Sequence, residues 1–119
     1  GGGDEVIFAS AAEVQQLASQ RWLKNKEVLD VLRRWHVLGL VPSTQIVQLP
    51  QSGQIVMYER SAVKHFRRDA HSWKKKRDGK TVREDHEKLK IDGVERLTCC
   101  YAHSEEVATF HRRIYWLLA

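Results

Sequence analysis

The amino-acid sequence predicts an α+β fold, in which N-terminal scaffold helices precede a mainly antiparallel sheet that carries a basic β-hairpin. Three features of the chain predict it. Apolar residues recur at spacings of three and four between Ser10 and Gly39, they alternate along the stretch from Val94 to Leu118, and a Lys- and Arg-rich segment straddles the turn-forming Asp78-Gly79.

Residues 1–9, opening on Gly1-Gly2-Gly3, read as a tag remnant or flexible N-terminus, and residues 10–119 as a single domain. Ser10-Ala11-Ala12-Glu13 fits a capping box, in which hydroxyl and carboxylate satisfy the free N–H groups at a helix start. Val14, Leu17 and Ala18 then form an apolar stripe. A second helix begins at Asn25, with Val28, Val31, Leu32 and Trp35 on one side and Gly39, which tolerates positive φ, near its end. Beyond Pro42, Ile46–Leu49 and Ile55–Tyr58 read as short strands around the turn Pro50-Gln51-Ser52-Gly53. Ser61 caps a short helix through about Arg68 that turns Val63 and Phe66 inward. Trp73–Arg77 and Lys80–Arg83 flank Asp78-Gly79, a pair suited to a two-residue type I′ turn. Glu84–Leu89 has helical potential that Asp92-Gly93 ends, and Val94–Tyr101 then puts Leu97, Cys99 and Tyr101 on one strand face. Phe110, Ile114, Trp116 and Leu118 repeat that pattern. Trp22, Trp35 and Trp116 lie in apolar patterns and are expected in the core, while Trp73, leading into the lysines, is expected to anchor the hairpin.

A chain of 119 residues with 42% hydrophobic content is long enough for one core. It has no apolar run of eighteen residues and no signal-peptide pattern, so a soluble intracellular protein without a membrane partner is expected. The charge is uneven. Between Arg60 and Lys90 stand twelve Lys or Arg against five acids, whereas the remainder is slightly acidic. A basic block of this kind is the footprint of a polyanion binder, with phosphate as the obvious ligand; a solvated turn or a nuclear import signal has the same composition.

Cys99 and Cys100 are adjacent, too close for an unstrained disulfide, and are expected reduced and partly buried. With His103 and one of His65, His71, His86 or His111 they make a conceivable zinc set, but neighbouring strand residues point to opposite faces, so no metal site and no cofactor are expected. Asp69, His71, Glu84, Asp85 and His86 contain the groups of a nuclease. Glu84, Asp85 and Glu87 fit better in the first turn of a helix, pairing with Lys88 or Arg83, so no catalytic residue and no enzyme activity are expected.

The peptides Arg21-Trp22-Leu23, Phe66-Arg67-Arg68-Asp69, Trp73-Lys74-Lys75-Lys76, Asp78-Gly79-Lys80-Thr81, Arg83 to Lys90 and Phe110 to Leu118 occur in this order. Together they resemble the CG-1 DNA-binding domain of the calmodulin-binding transcription activators, from about Ala18 onward. Ala70 stands where that family usually has Gly, and past Leu118-Ala119 the family usually continues into another apolar strand. The resemblance implies a nuclear transcription regulator that recognises double-stranded GC-rich DNA with a CGCG core. In that family the calmodulin-binding motifs lie further along, so calmodulin is expected to engage only regions outside this chain.

Guanine presents O6 and N7 in the major groove, which Arg matches with two donors and Lys with a point charge. Arg77, Arg83, Lys75 and Lys80 are therefore the candidates for base reading. Arg60, Lys64, Arg67, Arg68, Lys74 and Lys76 are the candidates for phosphate, with His71 and Thr81 able to touch bases or sugars. Of Arg112 and Arg113, strand alternation sends one toward phosphate and the other toward an acid. The alternative is a nonspecific nucleic-acid (RNA) binder or a protein-interaction module using the same positive surface.

Overall fold

The computed structural model describes residues 5–44, 53, 55–57 and 72–118. Two compact units divide the chain, residues 1–71 and 72–119. The expected strand Ile46–Leu49 and the helix from Ser61, with Arg60, Lys64, Arg67, Arg68 and His71, lie outside the described residues.

In the first unit, α1 spans Ala11–Gln20 and α2 spans Asn25–Leu38. The Ser10 hydroxyl accepts from the Glu13 N–H at 3.3 Å, and the Glu13 carboxylate reaches one residue further back than expected, to the Ala9 N–H. The link to α2 is pinned by charge. Arg21 makes a two-pronged bond to the nearly buried Glu27 at 2.8 and 2.9 Å, and Glu27 also accepts from the Lys24 N–H. These bonds hold the Glu27 carboxyl below its usual range, the Arg21 hydrogen bond contributing most. Gly39, in the left-handed region at φ 84°, ends α2 where the sequence places it.

The buried cluster contains Phe8, Val14, Val31 and Leu38, packed by Leu17, Leu23, Leu40, Ile55 and Met57. Asp30 ties the N-terminal segment to α2: its carboxylate accepts from the Ile7 and Phe8 N–H groups and from the Arg34 guanidinium. Burial pushes that carboxyl up, and the Arg34 and backbone donors more than offset it, leaving it below the ordinary value. Gly53 is fixed by close approach as well as by its φ of 77°, because a Cβ there would meet the Ser19 Cα at 2.9 Å. One expectation fails here. Trp22 is 49% exposed, because in the extended link Leu23 takes the inward position and its neighbour faces out. Trp35, and Trp116 in the second unit, are half-buried.

The second unit is a three-stranded antiparallel sheet in the order β1 (Asp85–Ile91), β2 (Val94–His103), β3 (His111–Leu117). β1 corrects the helix expected over Glu84–Leu89. Its Glu, Lys and Leu residues favour a helix locally, but pairing from Asp85↔Tyr101 to Ile91↔Val94 satisfies its backbone along the edge of β2. Asp92 and Gly93, at φ 51° and 82°, form the tight turn between them. β2, with a partner on each side, buries Leu97 and Cys99 on one face and Cys100 and Ala102 on the other. Among the described residues no helix is long and apolar enough to cross a membrane.

Candidate nucleic-acid interface

The basic hairpin forms as a ribbon joined to this sheet. Lys75 and Val82 face each other across it, with Lys76 N–H bonded to Thr81 C=O and Arg83 N–H to Lys74 C=O, each at 2.8 Å. Its first arm then continues along β2 where β1 leaves off. Trp73 pairs with Ser104, while Lys74 N–H donates to His103 C=O and Glu105 N–H to Ser72 C=O. The lysines are therefore carried by ladder hydrogen bonds at both ends of that arm.

The turn differs from the expected two-residue type. Four residues, Arg77 to Lys80, close the ribbon; Gly79 has φ 70° and donates to Lys76 C=O, but Asp78 keeps ordinary negative φ. Instead, its carboxylate accepts from the N–H groups of Lys80 and Thr81 at 2.9 and 3.0 Å and from the Thr81 hydroxyl at 2.8 Å. Those bonds, the Thr81 N–H foremost, hold the carboxyl down to about 2, so the clasp is ionised and intact at neutral pH. Thr81 thus shapes the tip as well as decorating it.

Register divides the ribbon into two faces. Trp73, Lys75, Val82 and Glu84 share one, with Trp73 only 3% exposed. Phe110 stacks on its ring at 5.7 Å between centroids, and the Arg112 guanidinium lies over it at 4.6 Å. Trp73 is the expected anchor. Lys74, Lys76, Thr81 and Arg83 share the other face, all exposed, with Arg77 and Lys80 exposed at the tip. Lys75, though also exposed, is separated from the other cations by this alternation.

The Lys74 face runs on into the sheet. Lys74 stands opposite His103, and His103 opposite His111, the two imidazoles 5.7 Å apart. Arg113, on the same side, donates from Nε to His111 Nε2 at 3.1 Å and lies over the Tyr101 ring. Burial, then the charge of Arg113 and the proximity of His103, push the His111 imidazole below its ordinary value. Two acids, Asp85 and Glu87, share this side of β1, and Glu87 accepts from the Tyr101 hydroxyl. In the sequence His103 and His111 are named only as conceivable zinc ligands, not as neighbours on this surface. The signal available was their place on either side of the loop from Ser104 to Phe110, which makes them cross-strand neighbours. Arg112 and Arg113 split as expected: Arg112 turns to the Trp73 side, where Glu84 lies 4.0 Å away.

The nuclease grouping does not assemble among the described residues, because Glu84 and His86 lie on the Trp73 side of the sheet and Asp85 on the other. The conceivable zinc set of Cys99, Cys100 and His103 is split in the same way, Cys100 on the Trp73 side and Cys99 with His103 opposite. Burial pushes the Cys99 thiol up to about 11, so it stays protonated.

The CG-1 domain pattern matches residues 17–119, which include the ribbon and the whole sheet. The chain belongs to the CG-1 domain family. This CG-1 domain is 40% identical over 117 residues to calmodulin-binding transcription activator 2 of Arabidopsis thaliana, covering 93% of the chain and 11% of that relative. It is 48% identical over 102 residues to calmodulin-binding transcription activator 2 of Homo sapiens, covering 82% of the chain and 8% of the relative. The chain thus spans about a tenth of the length of these relatives. No solved structure matches it.

Proposed function

We propose that this CG-1 domain is the DNA-binding part of a nuclear transcription regulator and holds double-stranded GC-rich DNA with a CGCG core, without catalysing a reaction on it. The observation that carries this reading is the division of the ribbon: Lys74, Lys76 and Arg83 stand together on an exposed face while Trp73 fastens the opposite side to the sheet. Fixed cations bind phosphate and hold register; a rigid tip beyond them can discriminate bases. Arg77 and Lys80 at the tip, with Arg83, are assigned to guanine edges, and Lys74 and Lys76 to phosphates. His103, His111 and Arg113 extend the phosphate track onto the sheet. Arg60, Lys64, Arg67, Arg68 and His71 keep the roles assigned from the sequence, and Lys75 reaches the duplex only if the ribbon enters a groove tip first.

Selection of bound duplexes from a random pool at physiological salt tests this. Enrichment of a CGCG core is expected; a flat output, or equal competition by RNA, would sink the sequence-specific reading in favour of a general polyanion surface. Arg77→Ala and Lys80→Ala should each cost about 1–3 kcal/mol on the CGCG duplex and little on a scrambled one.

A further inference from the structure

On the Trp73 side, where the ribbon's return arm enters β1, three side chains of different chemistry converge. His86 on β1 and Cys100 on β2 are direct cross-strand partners, and Glu84, two residues before His86, projects to the same side. One ligand atom from each, a carboxylate oxygen, an imidazole nitrogen and the sulfur, all lie within 4.8 Å of one another. The Cys100 thiol donates to Glu84 Oε2 at 2.9 Å, while Glu84 Oε1 is turned toward Arg112 Nη2 at 4.0 Å.

We propose that Glu84, His86 and Cys100 form a zinc site with three protein ligands and a fourth position open to water. Zinc takes sulfur at about 2.3 Å and imidazole or carboxylate at about 2.0–2.2 Å, so ligand atoms around it stand roughly 3.5 Å apart. Side-chain rotation of about an ångström therefore closes the observed cluster. The charges fit, since thiolate and carboxylate together balance the dication and a neutral imidazole completes the set. Binding releases the thiol proton of Cys100 to solvent, and the metal takes the place of that proton between sulfur and Glu84 Oε2. Arg112 is placed to orient the carboxylate from the outer side, holding Oε1 while Oε2 faces the ion.

Access and strength have separate origins. Cys100 is 2% exposed and Glu84 half-buried, which shields two ligands, whereas the exposed His86 marks the side from which an ion enters. A bound ion would join the ribbon, through Glu84, to both β1 and β2, and so stiffen the base from which the lysines project. The metal site stands or falls independently of the DNA reading.

Titration of the whole reduced chain with Co²⁺ in place of Zn²⁺ tests it, with no DNA present. Thiolate coordination gives a near-ultraviolet sulfur-to-cobalt absorption band, expected at one equivalent and erased by added Zn²⁺. Cys100→Ser should abolish the band and Cys99→Ser, on the opposite face, should keep it. His86→Gln, at an exposed position that leaves the core untouched, should weaken Co²⁺ binding about tenfold or more, and it decides the matter should Cys100→Ser misfold. No band at millimolar Co²⁺, a band that survives Cys100→Ser, or unchanged affinity in His86→Gln would overturn the site.

Discussion

The two sides of the second unit's sheet use the same kinds of residue for opposite ends. Each carries an arginine over an aromatic ring, a cysteine and a histidine. On the Trp73 side the ring is buried between Phe110 and Arg112, and Glu84 stands by that arginine. On the Lys74 side Arg113 lies over a partly exposed Tyr101 and beside His111, and exposed lysines continue the surface along the ribbon. One side fixes the ribbon in place and the other leaves its charge in water. The proposed recognition needs both, because cations on a loose hairpin would bind phosphate without register.

This division of labour is disrupted most severely from the anchored side. Trp73→Ala removes a ring that is 3% exposed, together with its stack and its cation contact. A destabilisation of about 3–5 kcal/mol is expected in denaturant unfolding. DNA binding should fall with it although no cation has been touched. Retention of both stability and affinity would show that the ladder hydrogen bonds alone hold the ribbon.

Next in size is removal of charge from the open side. Lys74→Ala, Lys76→Ala and Arg83→Ala together should leave unfolding nearly unchanged, since all three are exposed. Affinity should drop, and the slope of log K against log salt should become shallower by about 2, roughly one for each phosphate that Lys74 and Lys76 no longer neutralise, while the loss of Arg83 lowers the preference for CGCG. An unchanged slope would mean that these cations do not face the duplex.

A smaller effect with a diagnostic sign comes from His111. Burial, Arg113 and His103 hold its imidazole below the ordinary histidine value, so the neutral form belongs to the folded state. As pH falls below about 6.5 the unfolded chain takes up this proton more readily, and the stability present above that pH is progressively lost. A phosphate beside the ring reverses the preference by favouring the charged imidazole. Lowering the pH from 7.5 to 5.5 should therefore weaken the free domain yet tighten DNA binding, and His111→Gln should flatten both trends. Affinity indifferent to pH in the unaltered protein would take His111 out of the interface.

These two faces were only partly legible in the sequence, and two Asp-Gly pairs show why. Both pairs carry the residue types of a tight hairpin turn. Asp92-Gly93 adopts it, with positive φ at both positions, closing the pair Ile91↔Val94 just beyond a one-residue register shift between Leu89 and Lys90. Asp78-Gly79 does not, because the Asp78 carboxylate instead accepts from the Lys80 and Thr81 N–H groups, with the Thr81 hydroxyl adding a third bond. Alternation correctly separated Cys99 from Cys100 and Arg112 from Arg113, since period two is a property of any strand. It could not reveal that His86 stands across from Cys100, because register between strands is a nonlocal fact, and Glu84–Leu89 looked helical for the same reason. α1 and α2 were readable almost to the residue, as their start and stop signals are local: Ser10, Glu13 and Gly39 act within one turn.

The finest discrimination between the two sides comes from Lys75. It is an exposed cation in the middle of the lysine run, yet it shares the side of Trp73 and Val82. A ribbon lying flat in a groove presents only its Lys74 side to the duplex, while a ribbon entering tip first sets its two sides against opposite groove walls. Composition alone ranks Lys75 with its neighbours; register ranks it last. Lys75→Ala should therefore change affinity by less than about 0.5 kcal/mol, within the usual range for a surface substitution, and leave the salt slope unaltered. A loss equal to that of Lys74→Ala, with the slope shallower by about one, would establish tip-first entry and assign phosphate contacts to both sides of the ribbon.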